Sequence, residues 1–251
     1  MTDLAVYDMD RTVTKRATYT PFLLHCAMRR APWRLLFLPL VAVSMLAYVA
    51  RLIDRARLKE INHHLLLGRR IHPRDLQPLV ESFADKQVAR NIRPGARQAI
   101  ARDRAEGRRL VLATASYRLY ADAIARRLGF DDVIGTSSII GLDERVHAKI
   151  AGENCYGPAK MRMISDWVKA SGLKGAHGHI RFYSDHVSDR PAFEWSDEPV
   201  AVNPHGRLRR LAEVRGWAIE DWGEVGSRSI AGSGEIGMSP SAGSNRSRSR
   251  S

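Results

Sequence analysis

Cysteine is scarce in this chain: Cys26 and Cys155 are the only two in 251 residues. Two thiols make no disulfide framework, so an ordinary apolar core must hold the fold, and each cysteine reads as a small buried hydrophobe. Acidic residues are few as well, 27 against 40 Lys and Arg, leaving a formal net charge of +13. The nine histidines lack metal-ligand spacing, and His63-His64 and His177-Gly178-His179 read as surface or loop residues. Aromatics are 7% of the chain and do not interleave with basic residues, so the stacking pattern of a nucleic-acid binder is missing. There is no repeat at a solenoid period. The chain opens directly into an expected strand, which argues against a cleaved leader. What remains is 44% hydrophobic and long enough for one domain with a sizeable insertion.

The positive charge is unevenly placed. Residues 15–92 hold fourteen Lys and Arg against five Asp and Glu, and residues 227–251 hold four Arg against one Glu. The latter stretch is Gly/Ser-rich and ends Asn245-Arg246-Ser247-Arg248-Ser249-Arg250-Ser251. It has too little apolar content to fold and is expected to be a disordered, solvated tail. Inside the basic segment lies an uncharged run, Leu35–Ala50, shorter than the roughly 20 residues of a spanning helix. Arg29, Arg30 and Arg34 precede it and Arg51, Arg55, Arg57 and Lys59 follow, with Trp33 and Tyr48 near its ends. The run is either a helix buried in a soluble insertion or a surface that meets a bilayer.

Two carboxylates one residue apart follow the apolar segment Leu4-Ala5-Val6-Tyr7, in Asp8-Met9-Asp10-Arg11-Thr12. Open α/β sheets place their ligands at the C-terminal ends of strands. Asp8 and Asp10 are expected to leave the same edge of that strand, one as nucleophile and one as acid–base. Taken alone, the pattern also fits a calcium loop or plain turn chemistry. Three later segments narrow it. Arg109–Thr114 reads as a buried strand ending in a hydroxyl, followed by small Ala115 and Ser116 and a helix closed by Gly129. Gly157-Pro158-Ala159-Lys160 reads as a helix start carrying a lysine in its first turn. A cation is disfavoured there, so carboxylates or a bound phosphate should offset it. Ile180–Ser184 reads as a strand running into Asp185 and Asp189, hard oxygen ligands suited to magnesium.

The order and spacing of these four elements, over roughly Leu4 to Trp217, resemble the haloacid dehalogenase superfamily, in particular its phosphoserine-phosphatase-like subgroup. The resemblance implies an α/β, Rossmann-like doubly wound parallel sheet with a helical cap inserted after the first strand. It divides the chain into a core at 1–14 and 93–226, a cap at 15–92 and a tail at 227–251. It makes Asp8 the nucleophile that forms an aspartyl-phosphate and Asp10 the acid–base. It gives Mg²⁺ to the Asp8 carboxylate, the Asp10 carbonyl and Asp185. Thr114, Ala115 and Lys160 would bind phosphate, and Asp189 would orient Lys160 or the metal's water. Lys149 is a rival for Lys160; the latter lies on the helix just before the last acidic pair. Arg11 stands where many relatives have glycine or a small residue.

Phosphoserine phosphatases carry a glutamate about nine residues after the nucleophile to meet the substrate's amino group; here that position is Ala17. The arginine-flanked apolar run instead is similar to bacterial class C phosphatidylglycerophosphatases, as are Tyr183-Ser184-Asp185…Ser188-Asp189-Arg190-Pro191 and Val202-Asn203-Pro204-His205-Gly206. The implied partners are an anionic lipid phosphate and a membrane surface, with nucleic acid disfavoured. The implied location is the cytoplasmic face of the cell membrane, the alternative being the cytoplasm and a soluble phosphomonoester or phosphoprotein. A membrane-bound scaffold on a phosphatase fold is the rival from another class. One crossing by Leu35–Ala50 would split the site across the bilayer, so the run is expected to form an interfacial or re-entrant hairpin with Tyr19–Met28.

Overall fold

The computed structural model describes residues 2–171 and 177–223; the expected disordered tail, 227–251, lies outside them. The first strand, β1 (Thr2–Tyr7), runs into a tight turn at Met9–Val13. The insertion follows, with α1 (Tyr19–Arg30), a 3₁₀ segment at Pro32–Phe37, α2 (Leu38–Val49), α3 (Arg55–Leu66), β2 (Arg70–Ile71) and α4 (Pro73–Arg90). Helices and strands then alternate through α5 (Pro94–Ala105), β3 (Arg109–Tyr117), α6 (Arg118–Leu128) and β4 (Asp132–Ile140). The chain ends in β5 (Val146–Ala151), α7 (Pro158–Ala170), β6 (His177–Ser184), α8 (Arg190–Trp195), β7 (Glu198–Val202), α9 (Gly206–Arg215) and β8 (Ala218–Glu220).

One sheet takes all eight strands in the order β2-β5-β4-β3-β1-β6-β7-β8. From β4 to β8 every pairing is parallel, while β5 and β2 extend the edge in antiparallel fashion. The central strand alternates strictly: Ala5 and Tyr7 face one layer of core, Leu4 and Val6 the other. A strand covered on both faces has no polar side to show, which is why β1 reads as a continuous apolar run. The first layer holds α1, α4, α5 and α6; the second holds α7, α8 and α9. In register, Tyr7 lies beside Leu112 of β3 and Tyr183 of β6, so three strand ends meet at one level. The strand order reverses direction there, at the point where open α/β sheets form their crevice.

The insertion leaves and re-enters the core at one place. The Lys15 N–H donates to the Asn91 carbonyl (2.7 Å) and the Arg93 N–H to the Val13 carbonyl (3.0 Å). Its helices are not all a detached lid. Phe22, Leu23, Cys26 and Ala27 of α1, and Val80, Phe83 and Ala84 of α4, are buried in the same cluster as the sheet. The expected pairing of the apolar run with Tyr19–Met28 forms only at its start, where the 3₁₀ segment touches α1. Along α2 the run packs on α3, with Ser44 Oγ 2.7 Å from Asn62 Oδ1. Neither is it a buried cap helix: Leu36, Leu46 and Val49 are 78%, 68% and 75% exposed.

Local sequence signals missed three short strands, β2, β5 and β8, of two, six and three residues. The helix α4 starts at Pro73 and runs through Pro78. Burial of Leu76, Leu79, Val80 and Phe83 holds it together across the missing N–H. Gly129 closes α6 with φ +79°, the left-handed end that its place in the sequence predicts.

His63 on α3 is wholly buried, edge-on to Tyr117, and neither ring nitrogen has a hydrogen-bond partner. Burial first, then His64, pushes its pKa down to about 4. An unfolded histidine titrates near 6.5, so between about pH 6.5 and 4 only the unfolded chain takes up this proton. The site's contribution to stability is thus complete above that window and is lost as pH falls through it. We expect His63→Leu to stabilise the protein by about 1–3 kcal/mol at neutral pH, since two unsatisfied polar atoms disappear. The acid side of a plot of melting temperature against pH should flatten; a steeper acid limb in the variant would contradict a neutral buried imidazole.

Candidate active site

The strand ends at Tyr7, one residue before the first carboxylate, and the ring of Tyr7 stacks on that of Tyr183 at 4.4 Å. Both hydroxyls donate to buried Asp103, which Arg181 also contacts. This clamp holds the ends of β1 and β6 side by side, and the Asp8 N–H completes it by donating to the Tyr183 carbonyl (2.9 Å). The chain then turns sharply. Thr14 donates to the Met9 carbonyl through both its N–H (2.9 Å) and its hydroxyl (3.0 Å). Arg11 takes φ +70°, which accounts for glycine or a small residue suiting this position in proteins of similar pattern. The turn changes one expectation: β1 ends at Tyr7, so Asp8 and Asp10 lie beyond the strand, in the turn that follows it, with separate partners.

Asp8 is buried, with Oδ1 2.7 Å from Lys160 Nζ and Oδ2 3.0 Å from Thr12 Oγ. Lys160 lies in the first turn of α7 and also reaches Asp189 Oδ2 at 2.6 Å. The carboxylates expected to offset a cation at that helix start are these two. Burial pushes the Asp8 pKa up, against the pull of Lys160 and with help from Asp189 and Asp185. Thr12 Oγ also lies 3.2 Å from Asp185 Oδ1 while accepting the Asp185 N–H at 3.0 Å. One hydroxyl proton serves one carboxylate at a time, so an oxygen of Asp8 or Asp185 is always left unsatisfied. Asp189 Oδ1 is buried with no partner at all.

Three carboxylates thus surround one lysine, and the donor set suits a hard divalent cation. Among the described residues no three His, Cys, Asp or Glu side chains cluster as a metal cage. The ion would rest on the Asp8 and Asp185 carboxylates and, as the family resemblance implies, the Asp10 carbonyl. Mg²⁺ held there would neutralise charge on a phosphoryl oxygen and on the nucleophile.

Asp10 is fastened independently. Its Oδ1 accepts from the Thr18 N–H and hydroxyl, both at 2.8 Å, and its Oδ2 from Ser116 Oγ at 2.6 Å. Three donors hold the carboxylate without using the partners of Asp8. The two acids can therefore do different work.

The phosphate-binding expectation needs one correction. Strand β3 does not stop at Thr114 but continues to Tyr117, with a register shift against β4 between Thr114 and Tyr117. Such a bulge re-aims side chains. Thr114 is fully buried, its hydroxyl accepting the Ser116 N–H at 3.0 Å, and it is not part of the cavity wall. Ala115 and Ser116 are. The structure brings Asp8, Asp10, Ala115, Lys160, Asp185 and Asp189 onto one cavity of about 380 Å³ and leaves Thr114 beneath it. Lys149, the rival lysine, is exposed on β5, away from this cavity.

Sequence reading missed Lys59. It is buried on α3, its ammonium donating to the Ala115 carbonyl and to Asn154 Oδ1 (2.6 Å), over the rings of Tyr19 and Tyr117. Burial is the main cause that brings its pKa down to about 8. The available signal was helical spacing: Lys59, Asn62, His63 and Leu66 share the buried stripe of α3.

A model of the haloacid dehalogenase-like hydrolases matches residues 5–194, and the chain belongs to that family. Among curated proteins it is 31% identical over 172 residues to a phosphoserine phosphatase of Mycobacterium tuberculosis, covering 65% of this chain and 55% of that protein. It is 24% identical over 160 residues to the histidinol-phosphatase of Neisseria meningitidis serogroup C, covering 63% and 72%. The chain thus spans about half the length of the mycobacterial relative. A Bordetella pertussis crystal structure of unknown function superposes with TM-score 0.79 at 26% identity, covering 88% of this chain and all of that one. A substrate-bound phosphoserine phosphatase shares the fold, with TM-score 0.59 at 14% identity over 89% and 95% of the chains.

The Asp10 fastening gives a direct test. Ser116→Ala removes one of three donors and should lower kcat on a small aryl phosphate by roughly tenfold, the cost of about one charge-assisted hydrogen bond. Thr114→Val should act on melting temperature more than on kcat. If Thr114→Val instead silences turnover while Ser116→Ala is neutral, the hydroxyl that serves the phosphate is that of Thr114.

Proposed function

We propose that this protein is a Mg²⁺-dependent phosphomonoester phosphatase that works through a covalent phosphate on Asp8. The observation that carries the reading is the separation of the two acids: Asp8 sits against Lys160 and Thr12, Asp10 against Thr18 and Ser116. In the first step an Asp8 oxygen attacks phosphorus, the ester P–O bond breaks, and the leaving alkoxide takes the proton of Asp10. In the second, Asp10 accepts a proton from water as that water attacks phosphorus, releasing inorganic phosphate and restoring the Asp8 carboxylate. Lys160 stays charged throughout, since Asp189 and Asp8 raise its pKa despite burial. It offsets charge gathering on the phosphoryl oxygens.

The substrate reading follows from the wall opposite these carboxylates. There the insertion contributes Ala17, Tyr19, Met45, Tyr48, Arg55 and Lys59, two cations with apolar groups and no carboxylate. An ammonium group, such as phosphoserine or histidinol phosphate carries, would find no counter-charge on that wall. An anionic leaving group with apolar substance fits better. The proposed substrate is an anionic lipid head-group phosphate, phosphatidylglycerophosphate foremost, met at the cytoplasmic face of the cell membrane.

Phosphate release from a panel of lipid and soluble monoesters, with and without Mg²⁺, tests this reading. Asp8→Asn should abolish turnover and the hydroxylamine-sensitive phosphoprotein, and Asp10→Asn should lower kcat by about 10²–10⁴. Asp185→Ala should raise the Mg²⁺ concentration needed for half-maximal rate, and EDTA should silence the wild type. Turnover by Asp8→Asn, or a wild type indifferent to EDTA, would overturn the mechanism. Rapid release from phosphoserine with none from lipid phosphate would overturn the substrate.

A further inference from the structure

We propose that the outer face of Pro32–Val49 is a docking surface for an anionic lipid bilayer, lying in one leaflet beside the mouth of the catalytic cavity. The docking itself does not depend on the phosphatase reading; only the origin of the substrate does. The first observation is exposure. Leu36 of the 3₁₀ segment and Leu40, Val43, Leu46 and Val49 of α2 are all exposed, half or more of each side chain's surface lying open, so the segment presents a broad apolar outer surface. Trp33 stands exposed at the start of the same segment, where an amphipathic ring suits an interface. Pro32–Val49 is the one helical segment among the described residues that is long and apolar enough to cross a membrane, yet hardly any of it is buried.

The second observation is how the segment is tied down, which excludes a crossing. At its start, Arg34 Nη1 donates to the carbonyls of His64 (3.1 Å) and Leu65 (2.9 Å), at the C-terminal end of α3. In its middle, Ser44 Oγ lies 2.7 Å from Asn62 of the same helix. Leu35 and Val41 pack inward against the main core. Its start and its middle therefore stay on the body of the protein. The geometry is that of a helix lying in the interface.

Charge selects the occupant. Arg29, Arg30, Arg51 and Arg57 are exposed around this surface, and only Arg30 and Arg57 have acidic partners, Asp75 at 3.4 Å and Glu60 at 3.3 Å. A basic rim around an apolar surface complements anionic head groups over acyl chains. A second copy of this chain would bring the same arginines face to face, which like charge opposes. The placement of the cavity agrees. Met45 and Tyr48 of α2 line it, so a leaflet seated on the outer side of that helix lies about one helix width from the cavity.

The test is co-sedimentation of the full chain with vesicles of phosphatidylcholine alone, or mixed about three to one with phosphatidylglycerol. Wild type should bind the mixed vesicles and be released by salt. Leu36→Gln, Val43→Gln and Leu46→Gln together should weaken partitioning by more than about tenfold, since three apolar side chains no longer enter the leaflet. These residues lie outside the cavity wall, so the triple variant should keep its melting temperature and its rate on a soluble aryl phosphate. Variant binding equal to wild type, wild-type indifference to vesicles, or equal salt-insensitive binding to neutral vesicles would each overturn the proposal. So would a wild-type dimer that the three changes turn into monomers without altering vesicle binding. Loss of aryl phosphatase activity in the wild type itself would sink the phosphatase reading and leave the docking result standing.

Discussion

The ammonium of Lys160, only 2% exposed, is held 2.7 Å from Asp8 and 2.6 Å from Asp189. Burying three charges costs several kcal/mol per ion unless each is paired and hydrogen-bonded. The pairing draws together three separate pieces of chain: the end of β1, the start of α7 and the turn after β6. None of the three could settle elsewhere without stranding a buried charge, which typically costs about 3–5 kcal/mol. The sheet order follows the same need, since β1 must sit between β3 and β6 to place Asp8 against both the phosphate loop and Asp189. The Tyr7–Tyr183–Asp103 clamp secures that juxtaposition from the opposite layer of the core.

The triad keeps an excess of negative charge, with Asp185 adjacent and one oxygen of Asp189 unpartnered. A site with too few protons and donors for its carboxylates is poised for cations, whether a divalent ion or the protons that its raised pKa values favour. The insertion supplies the complementary sign. Arg55 stacks on Tyr156 at 4.0 Å and Lys59 donates to the Ala115 carbonyl of β3, so the far wall is positive where the near wall is negative. With a divalent cation offsetting the carboxylates, a substrate with an anionic leaving group would meet the positive far wall. That polarity, together with the exposed apolar surface on the outer side of α2, ties the proposed substrate to the proposed surface.

Much of this architecture was legible in the sequence because its parts are local. Continuous apolar runs bounded by polar strand ends betray buried parallel strands, and their order betrays the sheet. Asp8, Asp10, Ala115, Lys160, Asp185 and Asp189 could be named because each sits at a strand end or helix start. That Thr114 lies beneath the cavity wall while Ala115 and Ser116 line it was not legible, because a bulge lies in the pairing of β3 with β4 and pairing is invisible along one strand. Lys59 was missed because a lysine on a helix normally lies in solvent; only its neighbours on the stripe hint otherwise. The apolar run was correctly marked as unusual, but its partner helix was not.

By itself, the sequence determined the central buried strands, where the carboxylates fall and how the charge divides between core and insertion, since propensity and hydrophobic period act within a few residues. Only the tertiary structure decided that Asp8 and Asp10 have separate partners, that Ser116 rather than Thr114 faces the cavity, and that α2 lies exposed along α3. Those outcomes depend on contacts between residues as far apart as Asp8 and Lys160, or Asp10 and Ser116. Such contacts are chosen by the balance of buried charge, hydrogen bonding and packing over the whole molecule.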